Sequence, residues 1–177
     1  MATKPRAFIV GEFYHVYNRA ADKRIIFYTE KDYEYFLNKV LFFKEKTDVK
    51  IIAYCVLPNH WHFLFREPRS VSNPTGWTSQ ISRFVSLLSN SYTKYFNLNK
   101  DHSGRILQGP FKSKRVFDDD YLQVLVKYIN LNPVKHKIVK KIEDWPYVSH
   151  HNYVGNNKHN LIDKDYLLYL NNIDEEF

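Results

Sequence analysis

Apolar positions recur along this chain with two different periods, and each change of period marks a new element. The run Phe13-Tyr14-His15-Val16-Tyr17-Asn18 is aromatic and β-branched, which predicts a first strand ended by the charged break Ala21-Asp22-Lys23-Arg24. Thr29 with Asp32 makes a capping-box pattern. Tyr33, Phe36, Leu37, Val40 and Leu41 then repeat at helical spacing, which predicts a helix through about Lys46. Lys50 to Val56 reads as a second strand, Leu57-Pro58-Asn59 as a turn, and His60 to Phe65 as a third strand. So short a connection makes these two strands antiparallel.

Glu67 to Gly76, with Pro68 and Pro74, reads as a loop. After it, Ile81, Val85, Leu88, Tyr92 and Tyr95 trace one face of a second helix ending near Asn97. Asn99 to Gly109, with Lys100, His102 and Arg105, reads as an exposed basic loop leading into a strand over Phe111 to Phe117 that alternates apolar with basic residues. Asp118 or Asp119 caps a helix carrying Leu122, Leu125, Tyr128 and Ile129. Its last turn holds Tyr128 and Asn132, and Pro133 supplies the stop. His150 to Asn160 reads as a surface loop before a short acidic end. The order β-α-β-β-α-β with a following helix predicts an α+β, ferredoxin-like sandwich: an antiparallel sheet with helices on one face and an added C-terminal helix bearing Tyr128.

Length and composition narrow the class. The 177 residues suit a single domain over 1–177, with a core about 13–148 and a C-terminal extension 149–177. A single cysteine, Cys55, excludes an internal disulfide. The chain starts with no long apolar run, which predicts a soluble cytoplasmic protein with no membrane partner. Lysine and arginine number 26 against 19 acidic residues, a formal charge of +7 with a pI near 9.3, so a partner rich in phosphate is expected. Aromatic residues are 17% of the chain, more than a core of this size needs. Most rings read individually as core, and some are free to stack on unpaired bases.

Two segments carry candidate chemistry. In a strand, residues two apart face the same way, so His60 and His62 can share one metal while Trp61 packs behind. In a helix, residues four apart align, which puts Tyr128 and Asn132 on one side. Cutting a phosphodiester requires neutralising a non-bridging oxygen and presenting an in-line nucleophile. A divalent ion does the first, and a phenol beside it, with an ordinary pKa near ~10, is activated for the second. Two imidazoles and an amide suit Mg²⁺ or Mn²⁺. A zinc site would need a further His, Cys or carboxylate, whereas His62 is followed by Phe63-Leu64-Phe65.

Each of these residues also has a plainer reading. Tyr128 is spaced as a core tyrosine, Tyr121 is a rival nucleophile one helical face away, and Asn132 could simply end a helix before Pro133. Lys112, Lys114, Arg115 and Arg105 are candidate DNA contacts, and Lys135 to Lys141 reads as a solvated basic face. His15, His102, His136, His150, His151 and His159 have no spacing that singles them out.

Pro58-Asn59-His60-Trp61-His62-Phe63, then Gly109-Pro110-Phe111-Lys112-Ser113-Lys114, then Tyr128-Ile129-Asn130-Leu131-Asn132-Pro133-Val134-Lys135 form an ordered set. With Tyr14-His15-Val16, Asn18-Arg19 and Trp145-Pro146-Tyr147-Val148-Ser149, the chain from about Tyr14 to Val148 resembles the REP-associated tyrosine transposases, members of the single-tyrosine HUH transposases. The resemblance implies His60 and His62 as paired metal ligands, Asn132 as the third, and Tyr128 as nucleophile. It implies cleavage and rejoining of single-stranded or hairpin DNA through a 5′-phosphotyrosine, with Mg²⁺ or Mn²⁺, by a monomer or a homodimer. The alternative is a domesticated DNA-binding protein of the same fold without turnover. A rolling-circle initiator shares the chemistry, usually in longer chains.

Overall fold

The computed structural model describes residues 8–69, 79–155 and 159–163. Its centre is a four-stranded antiparallel sheet in the order β2-β3-β1-β4, built from β1 (Phe13–Arg19), β2 (Lys50–Leu57), β3 (His60–Arg66) and β4 (Lys112–Val116). Helices α1 (Glu30–Thr47) and α2 (Gln80–Asn99) follow β1 and β3, which gives the expected ferredoxin-like order. Beyond β4 come α3 (Asp119–Asn130) and two single-turn helices, α4 (Asn132–Lys135) and α5 (His150–Tyr153). None of the described helices is long and apolar enough to cross a membrane.

Strand alternation gives the sheet two unlike faces. Val16, Tyr54, Val56, Trp61, Phe63 and Phe65 point to one side and pack against Phe36, Leu37 and Val40 of α1 and Phe84, Val85 and Leu88 of α2. Cys55, Leu57, Leu64 and Val116 point to the other, where Leu125, Val126 and Ile129 of α3 cover part of the sheet. The rest of that second face is the polar cavity described below.

Buried carboxylates tie the first layer together. Asp32 completes the capping box of α1 and also accepts from Tyr95 Oη of α2 at 3.1 Å. Glu67 accepts from Ser79 Oγ, Gln80 N and Ile81 N at 3.0, 2.7 and 3.1 Å, satisfying the free amides at the start of α2. Of the loop expected over Glu67 to Gly76, 70–76 lie outside the described residues.

Three expectations need correction. The basic stretch 99–109 is not simply exposed: Ile106 and Leu107 are buried, and Leu107 bridges to Ala20. The helix carrying Tyr128 stops at Asn130, so Asn132 starts α4 instead of closing the last turn. Pro133 explains the break, since it donates no amide hydrogen and its ring would meet the carbonyl of Ile129. Finally, 150–160 does not read throughout as a surface loop. Residues 150–153 form α5, Asn152 is buried, and Tyr153 Oη donates to Ile52 O.

The chain beyond Trp145 also guards an edge. Val56 N donates to Tyr147 O, Ser149 N to Tyr54 O, and Trp145 Nε1 to Val56 O, so the outer edge of β2 is covered. Leu161 and Ile162 are buried in the first core, with Asp163 N donating to Ile51 O at 2.9 Å.

Candidate active site

The register of β1 with β3 and β4 assembles the site. Tyr17 lies opposite His62 on one side and Lys112 on the other, while His15 lies opposite Lys114. Because same-face residues are two apart, His15, Tyr17, His60, His62, Lys112 and Lys114 all face the α3 side. They line a cavity of about 860 Å³ whose far wall is α3, with Tyr121, Val124 and Tyr128.

The two histidines expected to hold a metal are brought together, with ring centroids 5.2 Å apart and exposures of 6% and 7%. The state of His60 follows from its neighbours. Asn59 Nδ2 donates to Lys23 O at 3.0 Å, so its amide oxygen faces His60 Nδ1 at 2.6 Å, and that nitrogen must carry the proton. His60 Nε2 is therefore a bare lone pair, and it is buried without a hydrogen-bond partner. An orphaned imidazole nitrogen facing a polar cavity is what a divalent cation would satisfy, so the residues fit the expected ion. His62 Nδ1 is hydrogen-bonded to His15 Nε2 at 2.9 Å.

These rings are kept neutral. Burial, with His136 and Arg19 nearby, lowers His60 to about 4. Burial, with His15, His60, His136 and Arg19, lowers His62 to about 2. Burial and Lys114 lower His15 to about 4. Among the described residues no group of three His, Cys, Asp or Glu side chains is placed to hold a metal.

Tyr128 stands over His62 and His15. Its ring is edge-on to His62 and to His15 at 6.3 Å each, it is 38% exposed, and Lys135 Nζ lies 4.3 Å from its centroid. Tyr121 lines the same cavity about two turns away along α3, but its ring faces Lys114 Nζ at 5.3 Å.

Asn132 is 1% exposed and does not line the cavity. Its Nδ2 donates to Tyr128 O at 2.8 Å and Ile129 O at 3.3 Å, replacing donors missing at the break before Pro133. Only its Oδ1 is left for a ligand.

The basic candidates separate. Lys112 and Lys114 line the cavity, whereas Arg115, next in alternation, turns to the other face and pairs with Glu12 at 3.1 Å. Arg105 is exposed and lines a second hollow of about 360 Å³ with Arg19, Lys23 and Gln108. Arg19 and Gln108 also line the main cavity.

Sequence reasoning passed over His15 and His136, both of which line the cavity; the ring of His136 is 5.0 Å from that of His60. Phe13-Tyr14-His15-Val16-Tyr17 did carry a signal, since its alternation places His15 and Tyr17 on one face, but which face is set by pairing with β3.

Comparison with known proteins bears on the fold and the family. A solved structure described as the REP-associated tyrosine transposase bound to a REP hairpin superposes with a TM-score of 0.67 at 22% identity, over 91% of this chain and 90% of that one, and shares the fold. A Haemophilus influenzae protein described as a REP-associated tyrosine transposase is 32% identical over 108 residues. That match spans 56% of this chain and 58% of the relative's length. The family model described as Transposase IS200 like matches residues 11–132, a span that runs from the start of β1 through His60, His62 and Tyr128 to Asn132. The chain with this cavity belongs to the IS200-like transposase family.

Proposed function

We propose that this protein cuts and rejoins single-stranded or hairpin DNA, with Tyr128 as nucleophile and His60 and His62 as ligands of a divalent ion, Mg²⁺ or Mn²⁺. The observation that carries the reading is Tyr128 edge-on at 6.3 Å to His62, in one chain and one basic cavity. No exchange of helices between subunits is needed to bring them together, so a monomer suffices, and a homodimer is also compatible.

In the proposed reaction, Tyr128 Oη attacks the phosphorus, the Oη–P bond forms and the P–O3′ bond breaks. The products are a 5′-phosphotyrosine and a free 3′-OH, and attack by another 3′-OH reverses the step. A divalent ion at His60 and His62 would supply charge to a non-bridging phosphate oxygen, and Asn132 would join them as a third ligand only by turning its Oδ1 into the cavity that it does not line. Lys112 and Lys114 hold flanking phosphates in the cavity, and Arg105 does so in the adjoining hollow. The hairpin-bound relative of like fold supports a hairpin as substrate.

The test is a denaturing gel of protein incubated with labelled single-stranded or hairpin DNA drawn from repeats flanking the gene, with Mn²⁺ or Mg²⁺. A covalent adduct is expected for the wild type and for Tyr121→Phe, and none for Tyr128→Phe or in excess chelator. Undiminished adduct in Tyr128→Phe would remove Tyr128 from the reaction.

A further inference from the structure

A neutral histidine binds a metal through Nε2 only when its proton sits on Nδ1, and an acceptor for that proton fixes the tautomer and the ring orientation. For His60, Asn59 does so, as its own bond to Lys23 O forces. For His62 the neighbour of Nδ1 is another imidazole, His15 Nε2, at 2.9 Å. Only two proton arrangements fit that contact. In one, His15 Nε2 donates, His62 Nδ1 accepts, and the proton of His62 is left on Nε2, facing the cavity and blocking a metal. In the other, His62 Nδ1–H donates to His15 Nε2, and His62 Nε2 is a lone pair like that of His60.

We propose that His15 is a positioning residue of the metal centre: it accepts the Nδ1 proton of His62 and thereby holds His62 in the one tautomer and ring orientation that can ligate. The inference rests on the reading that His60 and His62 bind a divalent ion.

The surroundings of His15 suit this task. It lies on β1 two residues from Tyr17, the direct cross-strand partner of His62, so its reach to His62 is diagonal across a register fixed by the β1–β3 ladder. Its ring is within 20° of parallel to that of His62 with centroids 5.2 Å apart, so the 2.9 Å contact runs end to end close to the ring planes, and Tyr17 lies near both rings, at 5.2 Å from His15 and 5.5 Å from His62. Lys114, opposite His15 on β4, offers only donors, so the lone pair His62 needs in an acceptor comes from His15. His15 and Asn59 are thus equivalent supports, one for each ligand, supplied by β1 and by the turn before β3.

Two measurements on the metal-free and Mn²⁺-loaded protein test this. Two-bond proton–nitrogen correlation spectra of the wild type should show His62 protonated at Nδ1. Mn²⁺ titration by calorimetry or electron paramagnetic resonance should show weakening by about tenfold or more in His15→Phe, which fills the space without an acceptor, and little change in His15→Gln, whose amide oxygen can accept. Circular dichroism checks that both variants fold; should His15→Phe unfold, the wild-type tautomer and His15→Gln still decide. A His62 proton on Nε2, or Mn²⁺ affinity unchanged in a folded His15→Phe, would overturn the proposal. These outcomes are separable from the strand-transfer reading: expected tautomer and affinities without any covalent DNA adduct would leave the role of His15 standing and remove that reading.

Discussion

His62 and Phe63 are neighbours in sequence and lie on opposite sides of the same sheet. Phe63 is wholly buried, stacked on Phe65 and edge-on to Phe84, in a layer where strands and helices meet through aromatic and aliphatic side chains. His62 is nearly as buried at 7% exposure, but its surroundings are imidazoles, a phenol ring and, along the same strand row, Lys112. Burial alone therefore does not distinguish a stabilising position from a chemical one. What distinguishes them is whether the buried group's polar atoms are already satisfied, and on the second face His60 Nε2 is not.

This contrast can be broken most severely from the chemical side. His60→Ala or His62→Ala should abolish metal-dependent adduct formation while the protein remains folded, since a catalytic ion is not a structural staple. Full activity in either variant, measured on the denaturing gel, would empty the second face of its role.

The converse substitution, Phe63→Ala, should cost about 3–5 kcal/mol of stability through reduced burial and the cavity left behind. In urea unfolding its midpoint should fall far more than that of His62→Ala. Equal shifts would show that the two faces contribute alike to folding.

Acid should reveal the second face next. His15, His60 and His62 have folded-state values lowered to about 4, 4 and 2 from an ordinary 6.5, so between those values and 6.5 the unfolded chain holds more protons than the folded one. Their contribution to stability is complete above about pH 6.5 and is lost as the pH falls toward 4, with His62 contributing to the decline down to about 2. Urea midpoints at pH 7.5 and 5 should differ in that sense, and the difference should shrink in His62→Gln. A profile unchanged by that substitution would detach the effect from this face.

The smallest expected effect concerns the rim. Lys112→Ala with Lys114→Ala should weaken single-stranded DNA binding and reduce the log–log salt slope by roughly 0.7 for each phosphate no longer neutralised, with little change in rate at saturating DNA. An unchanged slope would mean that these lysines are solvated and would move the binding track to the Arg105 hollow.

Much of this was legible in one dimension because the signals are local. The Thr29–Asp32 cap, the tight Pro58-Asn59 turn and the period-two runs depend only on near neighbours, and β1 to β4 and α1 to α3 formed where those patterns lie. The pairing of His60 with His62 was legible for the same reason. Its supports were not. His15 is 47 positions from His62 and meets it only through strand register. The turning of Arg115 away from Lys114 was implicit in alternation, yet its partner Glu12 is 103 positions away. Asn132 shows the same limit at short range: four residues from Tyr128, it was expected to share a continuous helical face, but the break before Pro133 commits its amide nitrogen to the carbonyls of Tyr128 and Ile129.

The sequence alone determined the element order, the two faces of each strand, and the residue types able to bind a metal and attack phosphorus, because periodicity and side-chain chemistry belong to the chain itself. Tertiary structure decided which lone pairs are free. It brought His15 to His62 Nδ1, brought Lys23 O to the Asn59 amide and so turned its oxygen to His60 Nδ1, and set Tyr128 across the cavity from them. A tautomer depends on the one atom a nitrogen touches, and for His62 that contact exists only once strands distant in sequence have paired.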